Sequence, residues 1–106
     1  MAIVKITSDN FEQEVLAAKE PVLLDFWADW CVPCKMQSEV LDAFAEEMGD
    51  SLKIGKVNVD EEAALALKYQ VMSSPTLVVM DKGVFVKRES GLKSAAELKV
   101  FLEGIA

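Results

Sequence analysis

The chain contains no histidine and only two cysteines among its 106 residues. A structural zinc site takes four ligands of these kinds, so one chain cannot build it; only a site bridging subunits would collect enough thiolates. Basic residues are scarce, 11 against 18 acidic ones, and the net charge is −7. With no basic stripe to neutralise phosphates, nucleic acid is not an expected partner. The balance suits solubility and partners that are neutral or basic where they dock. No apolar run reaches membrane-spanning length. Met1-Ala2-Ile3-Val4-Lys5-Ile6 alternates instead of forming a basic region, a long apolar run and a cleavage site, so no export signal is expected. The expected compartment is the cytosol, where lasting structural disulfides are rare. Repeats, low-complexity tracts and linkers are also missing. A composition 52% hydrophobic and 27% charged fits one well-packed domain over residues 1–106.

Both cysteines and both tryptophans are concentrated in one stretch, Trp27-Ala28-Asp29-Trp30-Cys31-Val32-Pro33-Cys34-Lys35. Before it, Pro21-Val22-Leu23-Leu24-Asp25-Phe26 reads as a buried strand interrupted by one carboxylate. After it, Met36, Val40, Leu41, Phe44 and Met48 recur at helical spacing. The cysteines therefore lie where a strand ends and a helix begins, a place that favours an anion. A thiolate is such an anion and is the reactive form of cysteine. C-x-x-C near a βαβ pattern, with no export signal, reads as a dithiol–disulfide redox motif. A purely structural disulfide fits poorly, because so short a loop removes little entropy from the unfolded chain.

Ile3 to Thr7 has the pattern of a short strand. Ser8-Asp9-Asn10 offers N-caps for a short helix whose apolar face is Phe11, Val15 and Leu16. Val22 to Trp27 is apolar on both faces, as in a central covered strand. The second helix is expected from the cysteines to Met48, stopped by Gly49. Leu52 to Val59 reads as a strand, and Asp60-Glu61-Glu62 as the cap and acidic first turn of a helix through Leu65, Leu67 and Tyr69. Thr76 to Met80 and Val84 to Arg88 form a hairpin about Asp81-Lys82-Gly83. Ser94-Ala95-Ala96-Glu97 is a capping box opening a last helix with Leu98, Phe101, Leu102 and Ile105 inward. The order β-α-β-α-β-α-β-β-α predicts an α/β fold, a mixed sheet with helices on both faces.

Asp25-Phe26-Trp27-Ala28 followed by Trp30-Cys31-x-Pro33-Cys34-Lys35 resembles the active-site segment of the thioredoxin family. Pro75-Thr76-Leu77 resembles its cis-proline loop, Lys82-Gly83 its hairpin turn, and Lys56-Val57-Asn58-Val59-Asp60 its third strand. Gly91 resembles the glycine beside the active site. The resemblance spans essentially the whole chain in matching order. Three residues depart from the usual pattern: Val32 replaces a glycine, Glu39 a helix-kinking proline, and Ser74 the isoleucine before the cis-proline. Val32 and Ser74 fall on the docking surface and bear on potential and partner choice. Glu39 reads as a surface residue of a less kinked helix.

The resemblance implies a thioredoxin fold and a protein-disulfide oxidoreductase with no bound cofactor, working through a redox-active Cys31–Cys34 disulfide. It implies a thioredoxin reductase as electron donor, protein disulfides as substrates, and a monomer with no membrane or nucleic-acid partner. Cys31, at the first exposed helical position, is the expected nucleophile, and Cys34, one turn on, the shielded resolving thiol. Lys35 adds positive potential. Pro33 suits the first helical turn and stiffens the redox loop. Val32, β-branched, narrows the loop's freedom relative to glycine and shifts the dithiol–disulfide balance. Asp25, costly to bury charged, is expected to have a raised pKa; the resemblance makes it the proton-transfer group for Cys34, with Lys56 modulating it. Trp27 reads as core. Trp30, Val32, Ser74, Pro75 and Gly91 are the substrate-binding candidates, with Ser74 pairing an extended segment. The competing readings are a non-catalytic binding module and an oxidase or isomerase of less reducing potential.

Overall fold

A computed structural model describes residues 3–106. Met1 and Ala2, where the alternating pattern begins, lie outside them. The strands are β1 (Val4–Lys5), β2 (Val22–Trp27), β3 (Lys53–Asn58), β4 (Thr76–Asp81) and β5 (Val84–Ser90); the helices are α1 (Val32–Met48), α2 (Ala63–Lys68) and α3 (Ala95–Phe101). Glu12–Leu16 forms one turn of π-helix and Gly49–Ser51 a 3-10 turn. The element order expected from periodicity is the order observed.

The sheet runs β1-β3-β2-β4-β5. β1 and β2 flank β3 in parallel, whereas β2–β4 and β4–β5 are antiparallel. β2 and β4 lie inside the sheet with both faces covered, which is why their sequences lack the alternation of a half-exposed strand. On one face Leu23, Ile54, Leu77 and Val79 pack against Leu41 and Phe44 of α1 and Leu98 and Phe101 of α3. On the other, Leu24, Phe26, Val57, Val78 and Met80 meet Phe11, Val15, Leu65 and Tyr69. This mixed sheet with helices on both faces is the predicted α/β thioredoxin-like architecture.

β5 is an exposed edge. Its register with β4 steps from Val79↔Lys87 to Met80↔Phe85, so Val86 is an extra, bulged residue; a bulge twists an edge out of line for pairing with another strand. At the hairpin tip Gly83 has φ +79°, and a Cβ there would come 2.9 Å from the Leu16 carbonyl oxygen. Only glycine fits that turn.

Local details differ from the sequence reading. The first strand is paired only over Val4–Lys5, although the Ile6 N–H still donates to the Lys56 carbonyl at 2.8 Å. α2 starts later than Asp60 and has no side-chain cap. The preceding turn is held instead by Asn58 Oδ1, which accepts from the N–H groups of Asp60 (2.9 Å) and Glu61 (3.1 Å). Leu67 is exposed; the inward residues are Leu65, Ala66 and Tyr69, since a spacing of two does not hold one helix face. α1 is likewise rotated from expectation: Met36 is exposed and Gln37 is buried in line with Cys34, Leu41 and Phe44. The capping box at Ser94 and Glu97 is present, and hydrogen bonding from the Ser94 backbone N–H, then from its side chain, holds the Glu97 carboxyl below the usual carboxylate range.

Candidate active site

The apolar run of β2 ends at Trp27, and the chain turns through Ala28–Trp30 into α1. Cys31 caps that helix: its backbone is extended, its N–H donates to the Ala28 carbonyl at 3.2 Å, and its Sγ accepts the Cys34 N–H at 3.2 Å. The Cys31 and Cys34 sulfurs are bonded to each other, with Cα atoms 5.3 Å apart. Val32 and Pro33 fill the first turn, where a missing proline N–H costs no intrahelical bond.

Cys31 is not at an exposed position. It is 3% exposed, as is Cys34, so the expectation of an open nucleophile beside a shielded partner is corrected. Ala28, Trp27 and Val59 pack with the two cysteines in one cluster, and the Ser74–Pro75 segment meets Cys31 through the Ser74 carbonyl. Cys31 Sγ lies 3.4 Å from the Ser74 carbonyl oxygen, a contact that becomes a hydrogen bond only when the sulfur carries a proton. The Ser74–Pro75 peptide bond is cis. Ser74 Oγ is buried without a partner. Gly91, with φ +98°, donates its N–H to the Pro75 carbonyl at 2.9 Å. The loop therefore sets Ser74 against Cys31 and ties Gly91 to Pro75.

Trp30 and Val32 are each 70% exposed. Trp30 is nonetheless tethered, its indole N–H donating to Asp60 Oδ2 at 3.1 Å. Trp27 is only half-buried: one side packs on the cysteine cluster, and Lys56 Nζ lies 5.4 Å from its ring centroid. Lys35 is exposed on the first turn of α1, and Glu39 is exposed further along it.

Asp25 is wholly buried and neither carboxylate oxygen has a hydrogen-bond partner. Burial pushes its pKa from 3.8 up to about 6, against a smaller opposing pull from the Lys56 charge. Asp25 and Lys56 are register partners across β2 and β3, yet the ammonium does not close an ion pair. It donates to Ser38 Oγ on α1 and sits over Trp27. Behind the cysteines Cys34, Ser38, Lys56 and Trp27 share a pocket of about 160 Å³. The sequence reading missed Ser38 and Gln37. Stepping back three or four residues at a time from Phe44 and Leu41 lands on Gln37 and Cys34, a signal that would have found the second.

Among the described residues, no group of three or more metal-ligating side chains is assembled, and no helix is long and apolar enough to cross a membrane.

Comparison with known proteins agrees with this geometry. The thioredoxin family model matches residues 2–104. A thioredoxin of Bacillus subtilis is 48% identical over 99 residues, covering 93% of each chain. One from Mycolicibacterium smegmatis is 46% identical over 99 residues, 92% of this chain and 88% of that one. One from Acidithiobacillus ferridurans is 39% identical over 102 residues, 96% and 94% of the two chains. A C-x-x-C pair joined at a helix start, facing a cis-proline in this sheet, places the chain in the thioredoxin family as a thiol–disulfide oxidoreductase.

Proposed function

We propose that the chain reduces protein disulfides in the cytosol as a monomeric single domain of residues 1–106, recharged by a thioredoxin reductase. The observation that carries this reading is the seat of Cys31 Sγ, at the start of α1, accepting the Cys34 N–H. Helix N-terminal N–H groups favour a thiolate there.

In the dithiol form, the Cys31 thiolate attacks one sulfur of a substrate disulfide. That S–S bond breaks, a mixed disulfide with Cys31 forms, and the departing substrate thiolate takes up a proton. Cys34 then loses its proton, attacks Cys31 Sγ and forms the Cys31–Cys34 disulfide, releasing the second substrate thiol. Two electrons and two protons pass to the substrate, and the reductase returns them. Asp25 accepts the Cys34 proton; a carboxylate titrating at about 6 exchanges protons near neutral pH more readily than an ordinary one. Lys56 restrains that rise, and Pro33 and Val32 stiffen the redox loop. Because Cys31 is nearly covered, the substrate docks as an extended segment along Ser74–Pro75 and Gly91, with Trp30 and Val32 as apolar contacts.

Equilibration of the cysteine pair against graded glutathione buffers, followed by tryptophan fluorescence, tests the reading. A dithiol clearly more reducing than glutathione is expected, with Cys31→Ser inactive and Cys34→Ser trapping the mixed disulfide. A potential near or above that of glutathione assigns the chain to isomerase or oxidase work. Partner stimulation that survives Cys31→Ser would make it a binding module.

A further inference from the structure

Gln37 is the one wholly buried amide of α1, one turn beyond Cys34 on the same face. Its Oε1 accepts the Lys93 N–H at 2.8 Å and its Nε2 donates to the Lys93 carbonyl at 3.1 Å. Lys93 lies near the end of the short segment between β5 and α3 that begins at Gly91. The other end of that segment is bonded to the cis-proline through the Gly91 N–H and the Pro75 carbonyl. Ser74, next to Pro75, places its carbonyl oxygen against Cys31 Sγ. These contacts close a ring: Cys31, Cys34 and Gln37 along α1, then Lys93 and Gly91, then Pro75 and Ser74, and back to Cys31. An apolar side chain would fill the Gln37 site without the cost of burying an amide. What the amide adds is a fixed direction and distance, because both of its bonds go to one backbone unit.

We propose that Gln37 is a positioning residue for protein substrates. By holding Lys93 it sets Gly91, and the exposed Leu92 between them, relative to the cysteines. The inference rests on the reading that protein substrates lie along Ser74–Pro75 and Gly91. Small disulfides use no groove wall and are indifferent to Gln37.

The test compares Gln37→Met, similar in size but unable to hold Lys93, with the unaltered protein. Two substrates are used, the disulfides of insulin and hydroxyethyl disulfide. KM for insulin is expected to rise about threefold to tenfold, the worth of one or two lost hydrogen bonds, with kcat and the small-disulfide rate unchanged. Faster hydrogen exchange at the Lys93 and Gly91 amides should accompany it. An unchanged KM, or equal slowing on both substrates, overturns the proposal. Should Gln37→Met not fold, Gln37→Leu carries the same test, removing both hydrogen bonds to Lys93 with a neutral apolar side chain. Leu92→Asp separates the two layers of the argument. If it raises the insulin KM and Gln37→Met does not, the groove stands and Gln37 has no part in it. If Leu92→Asp also leaves KM unchanged, the groove reading itself falls, and the proposal with it.

Discussion

The two flanks of α1 treat a buried polar group in opposite ways. On one flank, Gln37 is sealed from water with both its polar side-chain atoms paired, to the backbone N–H and the carbonyl of Lys93. On the other, Asp25 is equally sealed but has no hydrogen bond, and its nearest cation, Lys56, is turned toward Ser38 and Trp27. A paired buried amide stiffens its surroundings at little net cost, whereas an unpaired carboxyl destabilises the fold whenever it is charged. One flank therefore holds shape and the other holds a proton.

Replacing Asp25 breaks the comparison most strongly. Folded Asp25 keeps its proton up to about pH 6, and its ordinary value is 3.8. Between those values the folded state binds more protons than the unfolded one. The contribution of Asp25 to stability is therefore most favourable below pH 3.8 and is lost as pH rises through about 6. Asp25→Asn mimics the neutral acid. It should stabilise the protein at neutral pH by about 3 kcal/mol, a gain that shrinks as pH falls below about 6 and is gone below 3.8, as urea unfolding across pH would show. In the same variant, resolution of the mixed disulfide should slow by about a hundredfold, measured by stopped-flow fluorescence.

Gln37→Met should act in the other direction. Two polar atoms of Lys93 lose their partners, and unfolding should cost about 2 kcal/mol less. Gln37 does not titrate, so this loss should be the same on both sides of the Asp25 transition. A pH-dependent loss would mean that the two flanks are coupled through α1.

The smallest and sharpest change is Lys56→Met. Its charge pulls the Asp25 pKa down, so removing it should move the pH profile of disulfide resolution upward while leaving the small-disulfide attack by Cys31 alone. A profile that stayed in place would show that Ser38 already holds the ammonium too far away to matter.

The fold was readable because its signals are local and repeated. Two-sided apolar strands announced covered strands, and Ser94 with Glu97 announced the last helix. Asp25 was readable for the opposite reason, as a single violation in an otherwise apolar run. Gln37 was not, because a glutamine within a helix reads as solvent-facing, and only its phase with Leu41 and Phe44 places it inward. Met36 was assigned to the core by the same error of phase. The burial of Cys31 was equally hidden, since it comes from Ser74–Pro75, a segment more than forty residues away that no local pattern ties to the cysteines. Lys56 is the register partner of Asp25 on the neighbouring strand. Its turn toward Ser38 depends on a side-chain contact between α1 and β3.

Trp30 protrudes into solvent, yet its indole N–H is held by Asp60, whose own backbone is fastened by Asn58. A large ring on a surface normally surrenders its rotational freedom at the moment a partner arrives. Here much of that freedom is already gone in the unbound molecule. Encounter with a substrate then has less disorder to remove at the rim of the cysteine site, and the ring meets each new partner in the same pose.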